Sequence, residues 1–393
     1  GGDDADLVSA SALITSGVIY GNSGNDSFVA NANVTSTSIY GGAGNDSLTI
    51  SGAANTVTSE GGVGADSIQV GGGINSSTLF GDNSSLTEGG ADSIYIVGSA
   101  SGSYIYGNLG NDSISLDGGV IASSVYGGSG TDSVWIAAGA STSALIDGGS
   151  GNDFLSVAGL SGTSSLLGGV GEDTISVAGS STQWLVDGGG DDDTITVANA
   201  AIRTTVMGGS GADSIELGVV SKGYLAGGTE NDTIKVTDTG VTSASLKAGT
   251  GNDLMSITGG ITDGSLFGGT GNDSFNFTGG RATGLVDVGA GVDSVLLGAQ
   301  ADSITLTGSL TNTSLSAGAS NDSILIDTNM LSASIEAGAG SDTLNFSSSS
   351  VSILATTIKG GAGSDNISLY GANDVVFDVA STDSIFGGTG ADT

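Results

Sequence analysis

Aspartate recurs through this chain at near-constant spacing. After Asp6 it stands at Asp26, Asp46, Asp66, Asp92, Asp112, Asp132, Asp153, Asp173, Asp193, Asp213, Asp232, Asp253, Asp273 and Asp293. It returns at Asp322, Asp342, Asp365, Asp374, Asp383 and Asp392. The usual step is about 20 residues, a period that signals a solenoid. Stacked coils would set successive carboxylates about one strand spacing apart. Two unit charges at that distance repel by roughly 1 kcal/mol in water and by several kcal/mol at an effective dielectric of about 20. Such a row needs cations. Ca²⁺ accepts carboxylate and carbonyl oxygens in adaptable geometry, whereas Mg²⁺ demands a tight octahedron. The chain has no Cys and no His, so the soft ligands that favour transition metals are missing. Multiple calcium ions held by the Asp residues from Asp26 to Asp392 are therefore expected. The plainer alternative is that each Asp only forms a hydrogen-bonded turn.

Composition points the same way. The 393 residues carry 6 Lys+Arg against 41 Asp+Glu, a net charge of −35. Nucleic acid and anionic membrane surfaces both need clustered Lys/Arg, so neither is an expected partner. No apolar run is long enough to span a bilayer. Catalytic Ser/His/Asp and Cys/His arrangements are impossible without His or Cys, and no enzymatic activity is expected. The 73 glycines and the absence of Pro supply turns with positive φ and leave every backbone N–H free to join a ladder. The chain opens and stops inside motif copies, as a segment of a longer protein would.

The elements that must position the Asp row follow from the residues around it. Apolar residues stand two and four after each Asp, as Leu48/Ile50, Ile68/Val70, Ile94/Ile96, Ile114/Leu116 and Phe275/Phe277. That alternation in β-branched and aromatic residues reads as a short strand. A second strand carries a large residue seven before the Asp (Ile39, Ile105, Val125, Leu246) and a small one two earlier (Thr37, Ser103, Ser123, Ala244). Two strands and two turns would close one flattened coil. A coil alone cannot bury its apolar side chains, but stacked parallel coils can. The fold expected is all-β: a right-handed parallel β-roll or β-solenoid of about 20 residues per coil, continuous over 1–393. Three irregularities are expected: an extra loop near 82–88, an extra half-coil near 299–308, and nonapeptide-spaced coils over 360–393. The small residue before the second strand stands where a second Asp would be.

Gly269-Thr270-Gly271-Asn272-Asp273-Ser274-Phe275 and Gly361-Ala362-Gly363-Ser364-Asp365-Asn366-Ile367 resemble the calcium-binding nonapeptide of the repeats-in-toxin (RTX) family, Gly-Gly-x-Gly-x-Asp-x-apolar-x, a known repeat signature. The resemblance covers nearly the whole chain and is closest to bacterial surface-layer and giant adhesin members. It implies a parallel β-roll with calcium between stacked turns, held by Asp carboxylates and Gly-loop carbonyls. Most coils here carry one motif instead of two. Calcium is thus expected along one edge, with both edges used near Asp374 and Asp383. Asp191, Glu230 and Ser320 replace the third Gly of the motif, and Thr87/Glu88 replace its first pair before Asp92.

Asn25, Asn45, Asn111, Asn152, Asn231, Asn252, Asn272 and Asn321 precede their Asp and are expected to form amide ladders. Tyr20, Tyr40, Phe80, Tyr106 and Tyr126 share an outward position, either stacked along the axis or forming a lateral contact stripe. Trp184 is read as a core filler. Taken together, the expectation is an extracellular calcium-stiffened structural protein of a bacterial surface layer, sheath or fibre, with self-assembly and cell-surface polysaccharide as its partners; the resemblance implies export by a type I route. A repeat module of a secreted cytolysin, adhesin or enzyme, and a polysaccharide-processing β-helix, are the alternatives.

Overall fold

The computed structural model describes all residues except 84–87, 140, 347–351, 369–375, 378–383 and 390–393. Among the described residues there is no helix. Two compact units, Gly1–Ala198 and Asn199–Thr393, are each parallel β-solenoids built from the same coil. In the first, strand Ser47–Ile50 lies between Ser27–Ala30 and Ser67–Val70, with Leu48 opposite Phe28 and Ile68. In the second, Leu254–Ile257 pairs with Ser274–Phe277, setting Met255 opposite Phe275.

The inward pattern matches the alternation in the sequence. Ile39, Leu79, Ile105 and Ile146 are fully buried, and so are the small residues Thr37, Ser77, Ser103 and Ser123. One coil reverses the pair: Ser59 stands opposite Ile39, and Val57 supplies the bulk at the small-residue place, both buried. Summed volume is kept, which is what a close-packed interior requires. Trp184, 4% exposed, fills the interior as expected.

The coil has three strand segments, not two. In many coils a two-residue strand precedes the second strand, as Val34–Thr35, Ala54–Asn55 and Ile74–Asn75, and puts Val34, Ala54 and Ile74 into the core. It is too short to show a period in sequence. Behind it the chain turns through a left-handed residue that is usually not Gly: Ser36, Thr56, Ser76, Ala122 and Ser143 all have φ between 44° and 55°. Each costs roughly 1 kcal/mol, and the stacked neighbours hold it there.

The insertion near 82–88 leaves the stack intact. Asp66 N–H still reaches Asp92 Oδ1 at 2.7 Å, across 26 residues. The buried Asp82 closes the loop's base by accepting from Gly90 N–H (2.9 Å) and Leu109 N–H (2.8 Å).

The half-coil near 299–308 does more. Strand Ala282–Asp287, which lies ahead of Asp293, stacks on Ser303–Thr307, which follows Asp302, with Val286 opposite Leu306. Strand Ser294–Leu296, which follows Asp293, stacks on Ser314–Ser316, which lies ahead of Asp322. Nine residues of offset therefore exchange the two kinds of strand. At the C-terminal end Ser384–Thr389 pairs with Thr357–Ala362, and Ile353 lies opposite Phe377. Asp374, Asp383 and Asp392 lie outside the described residues.

Candidate metal centre

The turn before each Asp fixes its side chain. In Gly41-Gly42-Ala43-Gly44-Asn45-Asp46, Gly42 and Gly44 take φ of 117° and 129°, values open to Gly and strained for other residues. The turn folds back so that the Asp points inward. From Asp46 onward the described motif Asp side chains are only 1–3% exposed.

Each carboxylate is locked on one side. Asp26 N–H donates to Asp46 Oδ1 (2.7 Å), Asp112 N–H to Asp132 Oδ1 (2.8 Å) and Asp322 N–H to Asp342 Oδ1 (2.8 Å). The Asn before the Asp works in the opposite direction. Asn45 N–H donates to Asn25 Oδ1 (2.9 Å), and Asn272 N–H to Asn252 Oδ1 (2.8 Å). All eight of these Asn side chains accept a backbone N–H of the next coil, the remaining donors being Ala65, Thr131, Glu172, Asn252, Val292 and Ser341, so the expected side-chain ladder is instead a row of side-chain-to-backbone bonds.

In the first unit Asp26, Asp46, Asp66, Asp92, Asp112, Asp132, Asp153, Asp173 and Asp193 form one row. Asp6 heads it, donating its N–H to Asp26 Oδ1. In the second unit Asp213, Asp232, Asp253, Asp273 and Asp293 form a row, which Thr313 then continues. Asp302, Asp322, Asp342 and Asp365 line another corner, where Ala282 precedes them. After Asp293 the half-coil moves the Asp row from one corner to the other. Asp302 was missing from the expected ligands. Its motif, Ala301-Asp302-Ser303-Ile304, is legible, but its nine-residue offset hides that it heads a row.

Ser takes the Asp role at the small-residue place. Ser77 N–H donates to Ser103 Oγ (3.1 Å) and Ser103 N–H to Ser123 Oγ (2.9 Å). That supports reading this place as a second Asp site that has lost its carboxylate.

The second oxygen of each Asp is different. Oδ2 of Asp46, Asp66, Asp92, Asp112, Asp132, Asp153, Asp173, Asp232, Asp273 and Asp322 is buried without a hydrogen-bond partner. Burial pushes these carboxyls up, and neighbouring carboxylates add to the effect at several of them, while the accepted backbone N–H opposes it. Asp66 and Asp112 rise to about 8, Asp92, Asp153, Asp232 and Asp322 to about 7, and Asp132, Asp173 and Asp273 to about 6.

That oxygen has a backbone carbonyl oxygen close by. A Cβ built on Gly127 would lie 2.6 Å from Asp132 Oδ2 and 2.5 Å from the Gly148 carbonyl oxygen of the next coil. Gly41 and Gly107 stand in the same relation to Asp46 and Gly61 and to Asp112 and Gly127. The missing side chain leaves a carboxylate oxygen and a carbonyl oxygen facing each other, an oxygen-only donor set of the kind Ca²⁺ accepts. Among the described residues no three acidic side chains converge. A calcium ion here would be held by one carboxylate and backbone carbonyls.

The family model for the RTX calcium-binding nonapeptide repeat (4 copies) matches residues 18–33, 38–56 and 355–377. Within those three segments the chain is similar to that repeat. No curated protein matches it. A solved structure titled as a hyperactive, Ca²⁺-dependent, β-helical antifreeze protein from an Antarctic bacterium is similar at 19% identity, covering 93% of this chain and 83% of that one, with a TM-score of 0.27.

The departures from the RTX motif are absorbed by the turn. Asp191, Glu230 and Ser320 take φ of 74°, 78° and 81° at the third Gly place, so the turn survives with local strain. Before Asp92 the first Gly is not lost: Gly81, ahead of the inserted loop, stands against Asp92 Oδ2 as Gly127 does against Asp132.

Proposed function

We propose that the chain is an extracellular calcium-binding structural protein of a bacterial cell surface, in which calcium along the Asp rows stiffens each solenoid and supports assembly into sheets or fibres. The observation that carries this reading is the repeated, buried, unpartnered Asp oxygen facing a backbone carbonyl. One such site is a local feature; a row of them governs the whole fold. At a millimolar dissociation constant and several-fold higher external calcium, each site would add about 1 kcal/mol, and a row would rival a domain's net stability of roughly 5–15 kcal/mol.

The chain has no His and no Cys, so Ser/His/Asp and Cys/His arrangements are out of reach. Three of the Lys residues are engaged locally: Lys235 with Glu216 (3.1 Å), Lys359 with Glu336 (3.9 Å), and Lys247 over the Tyr224 and Phe267 rings. With 6 Lys+Arg in the whole chain, the clustered positive charge that nucleic acid needs has little support. Among the described residues no helix is long and apolar enough to cross a membrane. The outward aromatics stack along the axis, Phe80 on Tyr106 (5.0 Å) and Tyr106 on Tyr126 (4.9 Å), with Tyr20 on Tyr40 (5.0 Å). Their faces are taken by one another, so they offer edges to a lateral neighbour, a second copy or a cell-surface polysaccharide.

The test is circular dichroism with and without chelator, followed by electron microscopy of the full-length protein. EDTA should abolish most β signal, and Ca²⁺ but not equimolar Mg²⁺ should restore it. Ordered assemblies should need calcium. A spectrum indifferent to EDTA removes the calcium role. Dispersed monomers in millimolar calcium leave the cytolysin or enzyme module as the better reading.

A further inference from the structure

The coils differ at one position, five residues before the Asp. Gly stands there in the coils of Asp46, Asp112, Asp132 and Asp273, but Ala248, Val288, Ala317 and Ala337 stand before Asp253, Asp293, Asp322 and Asp342. All four of these side chains are buried, at 0–2% exposure. The turn around them is the same: Gly249, Gly289, Gly318 and Gly338 take φ of 131°, 86°, 97° and 105°, as Gly128 does at 121°. A Cβ therefore projects in the direction it would take at Gly127, between the Asp Oδ2 and the carbonyl of the next coil.

In these Gly coils the Asp Oδ2 and the next coil's carbonyl oxygen both lie 2.3–2.6 Å from where a Cβ would stand, closer than a real Cβ tolerates. In Ala and Val coils the oxygens must separate to admit the methyl, which then covers Oδ2 with hydrocarbon. We infer that this residue decides which coils hold calcium: Gly coils bind it, and the coils of Asp253, Asp293, Asp322 and Asp342 do not. The inference rests on the calcium reading above and deepens it. Oδ2 is buried and unpartnered in both classes, so the Asp alone does not distinguish them. Calcium would be continuous where Gly repeats, as before Asp112 and Asp132, and interrupted in the second unit.

The experiment is crystallography of the full chain grown in Ca²⁺, with an anomalous difference map read coil by coil, together with bound calcium per chain measured by equilibrium dialysis. Density is expected at Asp112, Asp132 and Asp273 and not at Asp253, Asp322 or Asp342. Ala317→Gly should gain about one ion per chain and Gly127→Ala should lose about one, each site being independent. Should Gly127→Ala fail to fold, Ala317→Gly still decides. Equal density in both classes, or an unchanged count in Ala317→Gly, overturns the gate and leaves calcium binding standing. No ion in any coil overturns both.

Discussion

Raising the pH should unfold the calcium-free chain. The buried Asp carboxyls have folded pKa values above the ordinary value of about 3.9: about 8 at Asp66 and Asp112, about 7 at Asp92, Asp153, Asp232 and Asp322, and about 6 at Asp132, Asp173 and Asp273. The folded state thus binds more protons than the unfolded state between those limits. Stability is fully present below about pH 4 and is lost as pH rises through the folded values. A pKa unit is worth about 1.4 kcal/mol, so a group held three units up costs on the order of 4 kcal/mol once ionised. A few such groups exceed a typical net stability of roughly 5–15 kcal/mol. Calcium binds the ionised form, so its stabilisation grows across the same window. Thermal melts followed by circular dichroism at pH 5 and pH 8, in EDTA and in millimolar calcium, check this. In EDTA the melting temperature should fall from pH 5 to pH 8, calcium should add little at pH 5 and much at pH 8, and calcium added at pH 7 should release protons into a pH-stat. Stability in EDTA that rises between pH 5 and pH 8, or binding without proton release, would refute the reasoning.

Asp112→Asn keeps an acceptor for Asp92 N–H and adds an amide donor beside the Gly127 carbonyl. It should raise the calcium-free melting temperature at pH 6 by roughly 5 °C while lowering bound calcium by about one ion. Ser103→Ala strips the acceptor from the buried Ser77 N–H and should cost about 1–3 kcal/mol in urea unfolding, with calcium binding unchanged. Ile94→Ala, at 1% exposure between Ile68 and Ile114, should cost about 2–5 kcal/mol by the same assay.

Where the chain repeats itself, its fold is legible. Ile94/Ile96 and Ile114/Leu116 alternate over a full strand, and alternation of that length has one structural reading. The inward Asp is legible too, because Gly at two fixed places forces the turn that aims it. Three features escape. The strand Ala54–Asn55 contributes one inward side chain, and a single residue carries no period. The corner at Ser36 or Thr56 is left-handed without Gly, so no residue type marks it; only the stacked coils impose it. Gly81 serves Asp92 across an inserted loop, a partnership that linear spacing conceals. The carboxylate's environment is also tertiary, since Asp46 Oδ2 is desolvated by neighbouring coils that sequence order places about 20 residues away.

The exchange of strands after Asp293 separates what stacks the coils from what binds metal. Asp302 sits on Ala282, and Thr313 sits on Asp293, yet both rows continue without a break in backbone pairing. Val286 meets Leu306 and Val295 meets Leu315, so bulk and register are matched although the motifs are not. The coil therefore recognises its neighbour by backbone and inward volume. Corners that carry Ser show the metal-free solution: Ser103 Oγ accepts the same N–H that an Asp Oδ1 would, with no charge to bury. Against that background an inward Asp is a costly substitute for Ser. Its second oxygen gains a purpose only where a proton or a cation meets it.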